Sequence, residues 1–239
     1  MFRVGKKNKN HFVSVVIAAG GSSSRMNGDN KLVKCIGGIP VLAHTFLAFE
    51  NCSLIDEIVL SAHEDRLDEY VSIAEKFKIS KLTKVVKGGS TRLQSVYNAA
   101  VEVSDRADIL LVHDAARPMV TNDDINSVID CIIKYNAAAA SNKVTDTIKK
   151  VENSFAVDTI DRNILYSVQT PQGADRALLL GALKKAVDSG DSNVTDECSA
   201  LEKIGVKPYM ASCSSLNIKI TYQEDIILAN AIYDWRCKE

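Results

Sequence analysis

No apolar run in this 239-residue chain approaches the roughly 20 residues that a bilayer-spanning helix needs. The stretch Met1–His11 is basic and polar, and it lacks the apolar core of a secretory signal. Neither sign of charge is in excess: 29 Lys and Arg stand against 30 Asp and Glu, for a formal charge of −1. That balance argues against bulk attraction to nucleic acid or to an anionic membrane, which needs a basic excess on one face. The six cysteines, at 35, 52, 131, 198, 213 and 237, include no C-x2-C pair, and the four histidines are equally dispersed. Zinc-ligand spacing is therefore lacking, and scattered cysteines in a chain of this length read as reduced thiols of an intracellular protein. Internal repeats and low-complexity linkers are missing too. The expectation is a soluble, cytoplasmic protein with no nucleic-acid or membrane partner, forming one domain over residues 1–239.

What is present is an alternation. Hydrophobic residues make up 46% of the chain, and short Val- and Ile-rich runs are separated by longer stretches of helical period. Phe12–Ala19, Glu57–Ala62, Leu82–Val86 and Asp108–His113 read as buried strands. Pro40–Glu50, Asp65–Phe77 and Ser90–Val103 have the composition and length of helices, followed by Asp123–Tyr135 with a cap at Thr121 or Asn122. Strand, helix, strand, helix implies right-handed crossover units. The fold class expected is α/β, a Rossmann-like, mostly parallel twisted sheet with helices on both faces. Beyond Tyr135 the pattern breaks into short β-like pieces at Val144–Val151, Phe155–Ile160 and Leu165–Gln169, with a turn cluster at 152–154. This region, 137–169, is expected to leave the sheet as a protruding β-arm, with 12–136 and 170–235 forming the core. Helices at Ala174–Asp188 and Asp196–Ile204, strands at Lys207–Ala211 and Ile218–Thr221, and a helix from Gln223 to Trp235 complete the reading. A T-x-x-E capping box at Thr221–Glu224 would open that last helix.

Parallel sheets bind ligands at the carboxyl ends of their strands, so the residues after each strand carry the interest. The first strand runs into Ala18-Ala19-Gly20-Gly21-Ser22-Ser23-Ser24-Arg25, with Lys31 six residues on. Small residues allow close backbone approach and N–H groups can point at phosphate; a flexible, solvated loop is the plain alternative. After the third strand, Gly88-Gly89-Ser90-Thr91-Arg92-Leu93-Gln94-Ser95 could surround a base or ribose, or simply cap a helix. The fourth strand ends in His113-Asp114-Ala115-Ala116-Arg117, where Asp114 suits Mg2+ or a ribose hydroxyl and Arg117 suits phosphate. A surface ion pair between those two is the competing account. Thr195-Asp196-Glu197 has a complete explanation as a helix start. Lys219, on an otherwise apolar strand, is either an edge-strand gatekeeper or a cation facing the ligand.

Taken in order, these motifs resemble the 2-C-methyl-D-erythritol 4-phosphate cytidylyltransferases of the non-mevalonate isoprenoid pathway. The matching residues are A-A-G…R-M at 18–26, G-G-x-x-R-x-x-S-V at 88–96, V-H-D-A-A-R-P at 112–118, D-T at 146–147, D-R at 161–162, T-P-Q at 170–172, T-D-E at 195–197 and N-I-K-I-T at 217–221. One departure is local. Gly20 and Arg25 are one residue further apart than in the family loop, and the Pro and Gln that usually flank its lysine are replaced around Lys31, which sits in Asn30-Lys31-Leu32. That loop looks closer to the one in molybdenum-cofactor nucleotidyltransferases.

The resemblance implies transfer of CMP from CTP to 2-C-methyl-D-erythritol 4-phosphate, with release of pyrophosphate and with Mg2+ on the phosphates. It implies that Arg25 and Lys31 face the triphosphate held by Ala18, Ala19, Gly20 and Gly21, and that Lys219 neutralises the α-phosphate. Gly88, Arg92 and Ser95 would frame cytosine and ribose, with Asp114 and Ala115 beside the nucleotide and Asp114 at the metal. Arg117, Thr147, Arg162 and Thr195 would bind the sugar phosphate, Arg162 also serving catalysis. A homodimer formed through the 137–169 arm would bring Thr147 and Arg162 to the neighbouring subunit's site. Ribitol 5-phosphate as acceptor is the nearest enzymatic alternative, and a nucleotide-binding protein without turnover the alternative of another class.

Overall fold

The computed structural model describes residues 11–20, 30–191 and 193–238. Its frame is a sheet of seven strands in the order β11 (Tyr209–Ser212), β7 (Ala137–Lys143), β10 (Tyr166–Asp175), β6 (Ile109–Asp114), β1 (Val13–Ala19), β4 (Glu57–Ala62) and β5 (Leu82–Lys87). The central strand β1 (Val13–Ala19) is buried along nearly its whole length, as its unbroken apolar run requires. It pairs in parallel with β4 (Glu57–Ala62) on one side and with β6 (Ile109–Asp114) on the other. β5 (Leu82–Lys87) extends the parallel half from β4 and forms its edge. A small ribbon of β2 (Cys35–Ile36) and β3 (Ile39–Pro40) lies between β1 and the first helix.

Alternate residues of β1 serve two cores, as the period of a strand dictates. Val13, Val15 and Ile17 join the cluster beneath α1 (Val41–Glu50), α2 (Leu67–Lys76), α4 (Asn122–Tyr135) and α7 (Glu224–Arg236). Val16 joins the opposite cluster with α3 (Arg92–Ala100), α5 (Arg176–Ser189) and α6 (Glu197–Glu202). Helices therefore cover both faces, as the alternating pattern implied. α4 opens on a capping box in which Thr121 and Asp124 satisfy each other's backbone N–H groups.

The second half of the sheet differs from the sequence reading. The four alanines 137–140 are buried in β7 (Ala137–Lys143), which pairs with β11 (Tyr209–Ser212) in parallel and with β10 (Tyr166–Asp175) antiparallel. β10 runs on beside β6, so it is the antiparallel link between the two halves. Residues 137–143 and 166–169 thus lie within the main sheet, and only 144–165 stand outside it. That segment holds the hairpin of β8 (Ile148–Glu152) and β9 (Phe155–Ile160), turning at Asn153 and Ser154, which both have positive φ.

Three local expectations also change. Ile218–Thr221 joins no ladder; the Ile220 N–H donates to the Ala116 carbonyl at 2.8 Å in a loop-to-loop contact. The edge-gatekeeper account of Lys219 therefore falls. α7 is opened by Asp225, whose carboxylate accepts from the N–H groups of Thr221 and Tyr222, instead of by a Thr221–Glu224 box. The helix expected over Asp196–Ile204 is the shorter α6 (Glu197–Glu202), with Asp196 as its cap.

Candidate active site

Asp114 is the last residue of β6 and its side chain sits at the carboxyl edge of the sheet, 8% exposed. Three cations converge on it. Lys219 Nζ donates to Oδ2 at 2.7 Å. Arg92 donates to Oδ1 through Nε at 3.4 Å and a terminal nitrogen at 3.2 Å. Arg117 Nε lies 3.7 Å from Oδ2, beyond hydrogen-bond range, while its NH1 donates to the Asn217 carbonyl at 2.9 Å. Burial disfavours the charged carboxylate, yet Arg92, Lys219 and Arg117 outweigh it and hold Asp114 well below the usual carboxylate range. For Arg117, burial prevails and lowers the guanidinium from its ordinary value despite Asp114.

The backbone around Asp114 is fixed by a buried chain of hydrogen bonds. Its N–H donates to Thr170 Oγ1 at 3.0 Å, and Thr170 Oγ1 lies 3.1 Å from His113 Nδ1. His113 Nε2 is 3.1 Å from the Arg117 carbonyl, so the neutral ring with its proton on Nε2 satisfies both ends. Burial pushes this imidazole down to about 4. Asn217 Nδ2 donates to Gln169 Oε1 and to the Thr170 carbonyl, tying the segment that carries Lys219 to the same turn.

Lys31 arrives from the other end of the chain. A short 3-10 turn at Lys31–Val33 is capped by Asn30, whose oxygen also accepts from Tyr70 at 3.1 Å. Lys31 Nζ then donates to the Ile220 carbonyl at 2.7 Å, one residue beyond Lys219. The two glycine-containing loops also meet. A Cβ on Gly88 would lie only 2.9 Å from Ser95 Oγ and one on Gly20 3.3 Å from it, so a side chain at Gly88 would force a shift and one at Gly20 would be tight. Ser95 Oγ accepts from the Gly89 N–H at 3.0 Å and donates to the Thr91 carbonyl at 2.7 Å, pinning the second loop to α3. Ala115 N–H donates to the Ala18 carbonyl at 3.0 Å, so Ala18, Ala19 and Ala115 lie side by side at the strand ends.

The structure therefore gathers Ala18, Ala19, Gly20, Lys31, Gly88, Arg92, Ser95, Asp114, Ala115, Arg117 and Lys219 at one edge of the sheet. Thr195 is exposed directly before α6. Thr147 and Arg162 lie on the hairpin segment, both exposed, with Arg162 donating to the Thr145 carbonyl at 2.6 Å. Gly21 and Arg25 fall outside the described residues. Sequence reasoning missed Glu197, Thr170, Gln172 and Asn217, although each stood in a quoted motif. Gln172 bonds the Asp196 carboxylate and the Cys198 N–H, and so seats α6 on β10.

A parallel-sheet edge with apposed small-residue loops and a cationic cluster is built for a polyanionic nucleotide, and the class these features define is an α/β nucleotidyltransferase. The chain belongs to the 2-C-methyl-D-erythritol 4-phosphate cytidylyltransferase family, whose model matches residues 13–234. A relative of that name from Clostridium botulinum is 41% identical over 223 residues, covering 92% of this chain and 97% of its own length. Another from Bacillus mycoides is 38% identical over 219 residues, covering 91% and 96%. The crystal structure of 4-diphosphocytidyl-2C-methyl-D-erythritol synthase from Anaerococcus prevotii superposes with a TM-score of 0.81 at 29% identity, over 94% of this chain and 96% of that one.

Proposed function

We propose that this chain transfers CMP from CTP to 2-C-methyl-D-erythritol 4-phosphate and releases pyrophosphate, as a step of isoprenoid biosynthesis. The observation that carries the reading is the Lys219 ammonium, held 2.7 Å from Asp114 between two arginines at the carboxyl end of the sheet. An oxygen of the acceptor phosphate forms the new bond to the α-phosphorus. The bond from that phosphorus to the bridging oxygen breaks, and its electron pair leaves with pyrophosphate. A phosphate monoester is already anionic near neutral pH, so no side chain has to remove a proton. What the protein must supply is alignment of two anions and stabilisation of the charge that builds on the α-phosphoryl group.

Lys219 and Lys31, with Arg25, serve that end at the triphosphate. Ala18, Ala19, Gly20 and Gly21 let the backbone approach the phosphates, and Gly88, Arg92, Ser95 and Ala115 frame the base and ribose. Arg117 and Thr195 face the acceptor. Asp114 offers one carboxylate, with lone pairs left beside those engaged by Arg92 and Lys219. Among the described residues no group of three or more His, Cys, Asp or Glu side chains forms a cation cage. Asp114 would be the protein carboxylate within reach of a Mg2+ that accompanies the phosphates. When bound, Mg2+ neutralises charge across the phosphate oxygens.

The reading includes a cytoplasmic homodimer built through the 144–165 hairpin, whose Val151, Phe155, Val157 and Ile164 are half or more exposed. In it Thr147 and Arg162 complete the neighbouring subunit's acceptor site. Pyrophosphate release from CTP, measured with 2-C-methyl-D-erythritol 4-phosphate and with ribitol 5-phosphate, tests the function. Turnover with the former in clear preference is expected. Preference for ribitol phosphate, or binding of CTP with no pyrophosphate above background, would overturn it.

A further inference from the structure

Glu197, the first residue of α6, is 1% exposed. An acidic residue in a helix's first turn has a ready explanation in the helix dipole. Here that role is filled by Asp196, whose side chain caps the helix by accepting from the Ser199 N–H. Both Glu197 oxygens go elsewhere: Oε1 accepts from Arg92 NH1 at 2.8 Å and Oε2 from NH2 at 3.0 Å. This is the two-pronged geometry in which Arg pairs with a carboxylate most strongly. The same NH2, with Nε, reaches Asp114 Oδ1, and Asp114 Oδ2 in turn takes Lys219 Nζ. A continuous line thus runs from Glu197 through Arg92 and Asp114 to Lys219, joining α6, α3, β6 and the 217–221 segment. Gln172 holds the Glu197 end of the line, while Gln169 and the Thr170 carbonyl hold Asn217 near the other.

We infer that Glu197 is a positioning residue for cytidylyl transfer: by taking half of the Arg92 fork, it leaves Asp114 Oδ2 to hold the Lys219 ammonium at the reacting phosphate. This rests on the function proposed above. Without the Glu197 charge, the guanidinium loses its better-aligned partner and turns its fork onto Asp114, in competition with Lys219. The cluster of Arg92, Arg117 and Lys219 would also be balanced by one carboxylate instead of two. Arg92 turns its fork while Gly88, Ser95 and Ala115, which frame the base with it, keep their places, so alignment at Lys219 suffers more than nucleotide affinity.

The test is a double-mutant cycle in pyrophosphate release, using the full-length protein and the variants Glu197→Gln, Asp114→Asn and both together. Glu197→Gln is expected to lower kcat by about 10- to 100-fold, the scale of a misplacement near 1 Å, with the KM for CTP changed by less than about threefold. The double variant is expected to lose no more than Asp114→Asn alone, because both changes cut one line. Additive losses in the cycle, or a rise in KM for CTP with kcat intact, would overturn the positioning role. If Glu197→Gln does not fold, Glu197→Asp, which keeps the charge but shortens its reach, is carried through the same cycle under the same criterion. A wild-type chain that forms no pyrophosphate from CTP overturns the underlying activity; wild-type turnover with additive losses overturns only the role of Glu197.

Discussion

Lowering the pH from neutrality towards 4 should destabilise this protein through His113. The ring is fully buried and packs edge-on against Phe49, with centroids 4.9 Å apart. It accepts at Nδ1 from Thr170 and donates at Nε2 to the Arg117 carbonyl. Protonation would place a second N–H against the Thr170 hydroxyl, which already accepts from Asp114, and would bury a cation near Arg117 and Lys219. The folded-state value is about 4 against 6.5 for the free ring. Between those limits the unfolded chain binds more protons, so stability is complete above pH 6.5 and is lost as pH falls through the window. The size of the gap corresponds to about 3 kcal/mol, a large part of a typical domain's total. Urea unfolding at intervals from pH 7.5 to 4 would measure it, for the wild type and for His113→Gln, whose amide cannot titrate. At neutral pH the variant should be less stable by roughly 1–3 kcal/mol, because it disturbs two buried hydrogen bonds. The difference should shrink on acidification, approaching about 1.4 kcal/mol per pH unit inside the window. Parallel stability curves across that range would refute the reasoning.

Other expectations follow from the site. Lys31→Ala should lower kcat by roughly 10²- to 10³-fold, the usual loss for one donor to transition-state charge; steady-state kinetics with near-normal turnover would remove its role. Arg162→Ala should raise the KM for the sugar phosphate and spare that for CTP, whereas equal loss of both would argue against an acceptor role across a dimer. Phe155, 75% exposed on the hairpin, should be buried in that dimer, so Phe155→Asp should halve the mass seen by light scattering and lower activity with it. An unchanged dimer would locate the interface elsewhere.

Much of the fold was legible because the parallel strands are continuous apolar runs. Glu57–Ala62 and Ile109–Asp114 are buried on both faces and carry that signal without a partner. The alanines of β7 carry no such signal. Alanine is a poor strand former, and burial between β10 and β11, set by the whole sheet, decides its conformation here. Ile218–Thr221 has the opposite problem: its alternation suggests a strand, yet it joins no ladder and its Ile220 N–H goes to the Ala116 carbonyl of a loop instead. In the site, strand ends pointed to Asp114 and to the glycine loops. Glu197 was hidden because its partner Arg92 is 105 residues away, and because a glutamate after a capping aspartate has a sufficient local explanation. Thr170 and Asn217 were hidden for the same reason, since each acts on a backbone group brought close only by folding.

In the proposed reaction a lysine held by Asp114 drives cytidylyl transfer. Parallel measurement of pyrophosphate release from CTP and 2-C-methyl-D-erythritol 4-phosphate by the wild type and by Lys219→Ala tests it most directly. One pyrophosphate per cytidine diphosphate product is expected in the wild type, and a kcat lower by about 10²- to 10³-fold in a variant that remains folded. A wild type that releases no pyrophosphate, or a Lys219→Ala variant that turns over at the full rate, would contradict it.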